Sequence, residues 1–103
     1  MATTIERLER LRNYGTLYEI ELAGPDGQRF SLGCACKSRI ALIQRVQARG
    51  RAIVNRLGLP EDVRFVVSGG RFPTVTIDGK YVVRFSGRTQ RDAICGGELP
   101  AIV

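Results

Sequence analysis

A chain of 103 residues builds one domain of ordinary size and leaves no room for a second core. With 44% hydrophobic and 25% charged residues, its composition excludes a disordered tail or a fibre. No run of about 18 uncharged apolar residues is available to cross a membrane. The amphipathic start, Met1 to Arg12 with Glu6 and Glu9 inside it, differs from a secretion signal, so a soluble, cytoplasmic protein is expected.

The formal charge is +6, and its distribution says more than its size. Residues 1 to 36 balance at −1 and residues 59 to 103 at +1, whereas residues 37 to 58 carry Lys37, Arg39, Arg45, Arg49, Arg51 and Arg56 without one acid, a balance of +6. Fourteen of the 16 basic residues are arginine, whose planar fork can hold phosphate or carboxylate bidentately. A G+C-rich genome also raises arginine usage, so the clustering carries the argument and the amount does not.

Along the chain, Thr3 and Glu6 have capping-box spacing and Ile5, Leu8 and Leu11 follow at three-residue intervals, which predicts a short helix to about Arg12. From Thr16 to Leu22 the residues alternate, with Tyr18, Ile20 and Leu22 on one face. After the turn residues Ala23 to Gly27, Phe30, Leu32, Cys34 and Cys36 alternate in the same way, predicting a β-hairpin. Ser38 is placed to cap a long helix over Arg39 to Leu57, closed by Gly58 with Pro60 beyond. Its apolar face is Leu42, Ile43, Val46, Gly50, Ile53, Val54 and Leu57. Gly50 on that face predicts either a close backbone approach or a bend.

Three further strands are expected, at Val63 to Val67, Phe72 to Ile77 and Tyr81 to Phe85. Asp78-Gly79 is a two-residue hairpin loop between the last two. Ser86 or Thr89 then starts a short helix, with Asp92 at capping-box spacing from Thr89 and Gly96-Gly97 as its stop. The apolar tail Leu99 to Val103 must dock on this chain or on another. The expected fold is therefore α+β: an antiparallel sheet of about five strands, a hairpin plus a three-stranded meander, with one long central helix and short N- and C-terminal helices.

On the helical wheel Arg45, Arg49 and Arg56 fall within about 40° of one another beside the apolar face, a stripe able to follow a phosphate backbone. The competing expectation is a solvated flank whose arginines pair with Glu19, Glu21, Glu61 or Asp62. A second basic cluster, Gly87 to Ala93, sits at a strand-to-helix junction, where Arg88, Thr89 and Arg91 would meet a phosphate at the helix N-terminus. From Ser38 onward, the order helix, three strands, helix resembles a double-stranded-RNA-binding domain. Gly87, Thr89, Arg91 and Ala93 match positions of that family's Gly-x-Ser-Lys-Lys-x-Ala signature. The likeness covers under two thirds of the chain and is one of topology: Gln90 stands where the family has a basic residue, the last helix stops early, and the N-terminal hairpin has no counterpart.

Catalytic chemistry finds little support. Histidine is absent, the carboxylates show no paired spacing, no phosphate-binding glycine loop occurs, and no base accompanies a cysteine. Cys34, Cys36 and Cys95 lack a fourth ligand and zinc-site spacing, and are expected to be reduced, buried small hydrophobes; no metal or cofactor is expected. The expected function is non-catalytic binding of nucleic acid, mainly at phosphates, through Arg45, Arg49 and Arg56 with Lys37, Arg39, Arg88 and Arg91. The aromatic residues mostly fall on strand core positions, which favours duplex or structured nucleic acid over a single-strand stacking platform. The alternative is a small inhibitor or assembly subunit, of the kind viruses and mobile elements encode, that docks on an acidic protein surface, a larger complex or a second copy of itself. No membrane partner is expected.

Overall fold

The computed structural model describes residues 16–70, 72–96 and 99–102; the helix expected over Thr3 to Arg12 lies outside them. The protein is α+β. Five strands, β1 (Leu17–Ala23), β2 (Arg29–Cys36), β3 (Phe65–Val67), β4 (Val75–Ile77) and β5 (Tyr81–Thr89), form one antiparallel sheet in the order β2-β1-β5-β4-β3. The helix α1 (Arg39–Leu57) follows β2, and α2 (Gln90–Gly96) follows β5. The expected hairpin and meander are both present, and pairing of β1 with β5 joins them into one sheet. The hairpin thus belongs to the same sheet as the meander, where the double-stranded-RNA-binding arrangement has three strands alone. No helix among the described residues is long and apolar enough to cross a membrane.

Local signals set the element ends. Ser38 caps α1 by accepting the Ala41 N–H on its Oγ at 3.1 Å, and left-handed Gly58 closes it, with the Leu59 N–H reaching back to the Val54 carbonyl. Asp78 and Gly79 both take positive φ, 56° and 66°, the conformation that a two-residue hairpin needs to match the strand twist. Elsewhere the strands are displaced from expectation. β3 starts two residues late because Val63 donates its N–H to the Pro60 carbonyl and completes a turn first. β4 starts at Val75 because Ser68 and Thr74 close the preceding loop. The Ser68 N–H donates to the Thr74 carbonyl, and its Oγ accepts the Thr74 N–H at 3.0 Å. Pro73, with no N–H to give a ladder, sits inside that loop. β5 instead runs four residues beyond Phe85, to Thr89.

One face of the sheet carries the core. Ile20, Leu22, Leu32, Val75, Ile77 and Val83 pack against Leu42, Val46 and Ile53 of α1. Ile43, Val54 and Leu57 of the expected apolar face are only half-buried. The apolar tail docks on its own chain. Pro100 accepts the Ser31 N–H, Ile102 donates to the Ser31 carbonyl, and the Ile102 side chain, 2% exposed, enters the core. Gly50 marks no close approach, since nothing lies within 4 Å of a Cβ placed there.

Two substitutions should therefore move stability in opposite directions. Ile102→Ala should cost about 2–4 kcal/mol through the lost burial and the cavity left behind. Gly50→Ala should gain up to about 1 kcal/mol of helix propensity. Urea denaturation midpoints at constant slope measure both; a neutral Ile102→Ala would show that the tail contributes nothing to the core.

Candidate nucleic-acid interface

The site starts with an irregularity in β2. Glu19 pairs with Cys34 and Glu21 with Ser31, so two residues of β1 span three of β2, and the extra residue is Gly33 at φ +99°. Residues opposite one another in a ladder share a face. The bulge therefore turns Cys34 and Cys36 away from the core face of Leu32, breaking the alternation that the sequence shows. This corrects the expectation of buried thiols: Cys34 is half-buried, and Cys36 and Cys95 are exposed.

Gly33 also lies in van der Waals range of Arg45. A Cβ at Gly33 would lie 3.5 Å from the Arg45 guanidinium carbon, and Arg45 Nη2 donates to the Cys34 carbonyl at 3.1 Å. Arg45 thus latches α1 onto β2, its guanidinium partly committed to the fold. Further along, the exposed Arg56 lies with its guanidinium 5.4 Å from the centroid of Phe30. Later helix residues meet earlier strand residues, so α1 runs antiparallel above β2. Arg49, exposed, stands between these two contacts and lines an open groove of about 510 Å³ with Ser31, Gly33, Gln90 and Ala101. At the start of α1, Lys37 places its Nζ 3.8 Å from the ring centre of Phe72 and 5.1 Å from that of Tyr18. Arg39, exposed in the first turn, has no acidic neighbour there. The structure brings Lys37, Arg39, Arg45, Arg49 and Arg56 to α1 and its junction with β2.

Two of the four carboxylates that might have neutralised this ridge, Glu19 and Glu21, are engaged by other arginines. Glu21 is 1% exposed on the interior strand β1. Its Oε2 accepts from Nε and Nη2 of Arg29, and its Oε1 accepts from Nε of Arg84 at 2.9 Å. Glu19, 2% exposed, has Oε1 3.7 Å from Arg88 Nη1 and makes no hydrogen bond through that oxygen. A buried carboxylate needs compensation, and three arginines provide it here. Among the described residues no carboxylate lies within salt-bridge distance of Arg45, Arg49 or Arg56.

The second basic cluster divides. Arg88 turns inward to Glu19 and Arg91 remains exposed. The end of α2 that was expected to meet a phosphate holds its own anion. The Thr89 Oγ1 donates to Asp92 Oδ2 at 2.8 Å, the Thr89 N–H donates to the same oxygen, and the Asp92 N–H returns a bond to Thr89 Oγ1. This is the capping box read from the sequence, and it sets a carboxylate at that helix end. What sequence reasoning missed is the Gly33 bulge and the Glu19 and Glu21 clamps; a glycine interrupting β2 and two acids on an otherwise apolar strand were their only traces. Comparison with protein families, curated proteins and solved structures gives no match to this chain.

The Thr89 side-chain hydrogen bond and then that of its backbone hold the Asp92 carboxyl below its ordinary value against an opposing desolvation, with lesser help from the charges of Arg88 and Arg91. Because the folded-state value is depressed, this contribution to stability is complete above the unfolded-state pKa and disappears as the pH falls through the folded-state one. An NMR titration should give an Asp92 midpoint below that of a free aspartate, and Thr89→Val should raise it; equal midpoints would show that the box does not form.

Proposed function

We propose that this protein binds nucleic acid through the sugar–phosphate backbone, along the ridge that α1 forms above β2. One observation carries the reading: Arg49 and Arg56 are exposed on one flank and have no carboxylate partner among the described residues, while the ion pairs of the sheet gather on Glu19 and Glu21. Phe30 holds one end of the ridge and the Cys34 carbonyl the other, so the charge is presented by side chains with reduced freedom. At about 1.5 Å per residue, Arg45 to Arg56 spans roughly 16 Å, enough to meet several successive phosphates. Nothing in the ridge is shaped to read base edges, so recognition is of backbone and weakly sequence-specific.

Salt titration of binding to a DNA duplex tests this reading. Affinity should fall linearly in log–log form with added salt. Arg49→Glu/Arg56→Glu should abolish retention and remove about two counterion equivalents from the slope. Arg64→Glu, an exposed charge change on the approach to β3, should alter binding far less. Unchanged retention by the double variant would overturn the reading, and capture of an acidic protein by that ridge after nuclease treatment would replace it.

A second reading, an assembly subunit or inhibitor, is supported by β3. This strand closes the far side of the sheet, with Val66 54% and Val67 38% exposed. Such an edge accepts an added strand. If it does, Val66→Lys should abolish self-association or partner capture while leaving nucleic-acid retention intact; a wild-type monomer at high concentration that captures no partner would count against it.

A further inference from the structure

The groove beside Arg49 contains a carboxylate whose hydrogen bonding is incomplete. Its volume of about 510 Å³, where β1, the β2 bulge, α1, α2 and the tail converge, is ordinary for a cleft that holds one small molecule. Leu17, Ala93 and Ala101 give it apolar walls, and Arg49, Gln90 and Glu19 bring polar groups to it. Glu19 is 2% exposed, and its buried Oε1 accepts no hydrogen bond; Arg88 Nη1 stops 3.7 Å away. Nearly every buried polar atom of a folded protein has a hydrogen-bond partner, so this oxygen is an exception that calls for one. Glu21, two residues on and equally buried, supplies the contrast: both of its oxygens accept from arginine. Arg49, exposed and with no carboxylate within salt-bridge distance among the described residues, puts a cation into the same groove.

We propose that this groove binds a guanine nucleotide, its base donating to Glu19 and its phosphate resting on Arg49. The proposal goes beyond the backbone-binding reading and shares only Arg49 with it. Two groups of opposite charge in one cleft call for a ligand with an anion at one end and N–H donors at the other, which a nucleotide carries and a bare phosphate does not. Among the bases, guanine alone sets two donors, N1–H and the N2 amino group, side by side on the edge used for pairing. Adenine and cytosine place an acceptor beside their amino group, and uracil flanks its single N–H with two carbonyls, so each of these turns a lone pair toward a carboxylate. The apolar walls suit the faces of a flat ring. Oε1 gives up no hydrogen bond in turning toward the base, and side-chain rotations of this kind are common on binding. The unpaired edge that the contact requires is offered alike by a free nucleotide and by a base in a single strand.

Calorimetric titration with the 5′-monophosphates of guanosine, adenosine and uridine and with ribose 5-phosphate tests this, beside a thymidine oligonucleotide with and without one central guanine. The guanine-bearing probe should bind about tenfold or more tightly than its counterparts. Glu19→Leu should erase that preference, and Arg49→Glu should weaken binding of all four small probes. Ala101→Trp, at an exposed position on the groove wall, should obstruct the groove with the Glu19 carboxylate still in place, and it decides the question if Glu19→Leu does not fold. A gain from guanine in the oligonucleotide assigns the site to a base in a strand, and a gain on the mononucleotide alone assigns it to a free nucleotide; either supports the proposal. Absence of a guanine preference on both kinds of probe, or a preference that survives in either folded variant, would overturn it. Salt-dependent duplex retention in that event leaves the backbone reading standing, whereas guanylate binding without duplex retention would sink that reading alone.

Discussion

A carboxylate buried on an interior strand organises this protein. Glu21 sits on β1 with almost no solvent access, and an uncompensated charge there would be strongly unfavourable. Arg29 from β2 and Arg84 from β5 reach it from opposite sides, so one side chain fastens the hairpin and the meander across the seam where they meet. Glu19, two residues earlier, draws in Arg88. The clamps have a second consequence. They engage these two acids with arginines from outside α1, and the positive charge of residues 37 to 58 emerges on the helix flank.

The flank is built as well as charged. Arg45 is held by the backbone of β2 beside the bulge whose positive φ calls for glycine, Arg56 rests near Phe30, and Lys37 lies between two aromatic rings. Cation–π contacts of this kind are each worth about 0.5–1 kcal/mol at exposed sites, enough to bias a long side chain toward one geometry. Exposed ion pairs would have held these cations no more firmly and would have cancelled their charge. The arrangement keeps the cations both oriented and available. Arg88, by contrast, gives up availability to compensate Glu19, and the capping box at α2 replaces a bound anion with a covalent one.

The tail changes the balance between the two functional readings. As an exposed apolar strand, Leu99 to Val103 would have pointed to a partner. With Ile102 in the core and the backbone of Pro100 and Ile102 bonded to Ser31, it covers the outer edge of β2 and helps close the domain. Among the described residues, the large exposed apolar side chains lie at β3, Phe72 and Ile40.

Signals confined to a few consecutive residues were legible in the sequence. Ser38 and Gly58 bounded α1, Asp78-Gly79 fixed a hairpin, Thr89 and Asp92 specified the start of α2, and the acid-free stretch from Lys37 to Gly58 located the charge. Each depends on the geometry of one turn, so the chain order contains the answer. The strand shifts at β3 and β4 were less legible because the hydrogen bonds of Ser68 with Thr74 compete with the hydrophobic pattern. What tertiary structure decided involves groups far apart in the chain: the β1–β5 seam, the pairing of Glu21 with Arg84 across 63 positions, the latch of Arg45 on Cys34, and the placing of Lys37 against Phe72. Which arginines are neutralised is a question of distance and burial. Composition supplies the net charge, and only the packed sheet determines which side chains keep it.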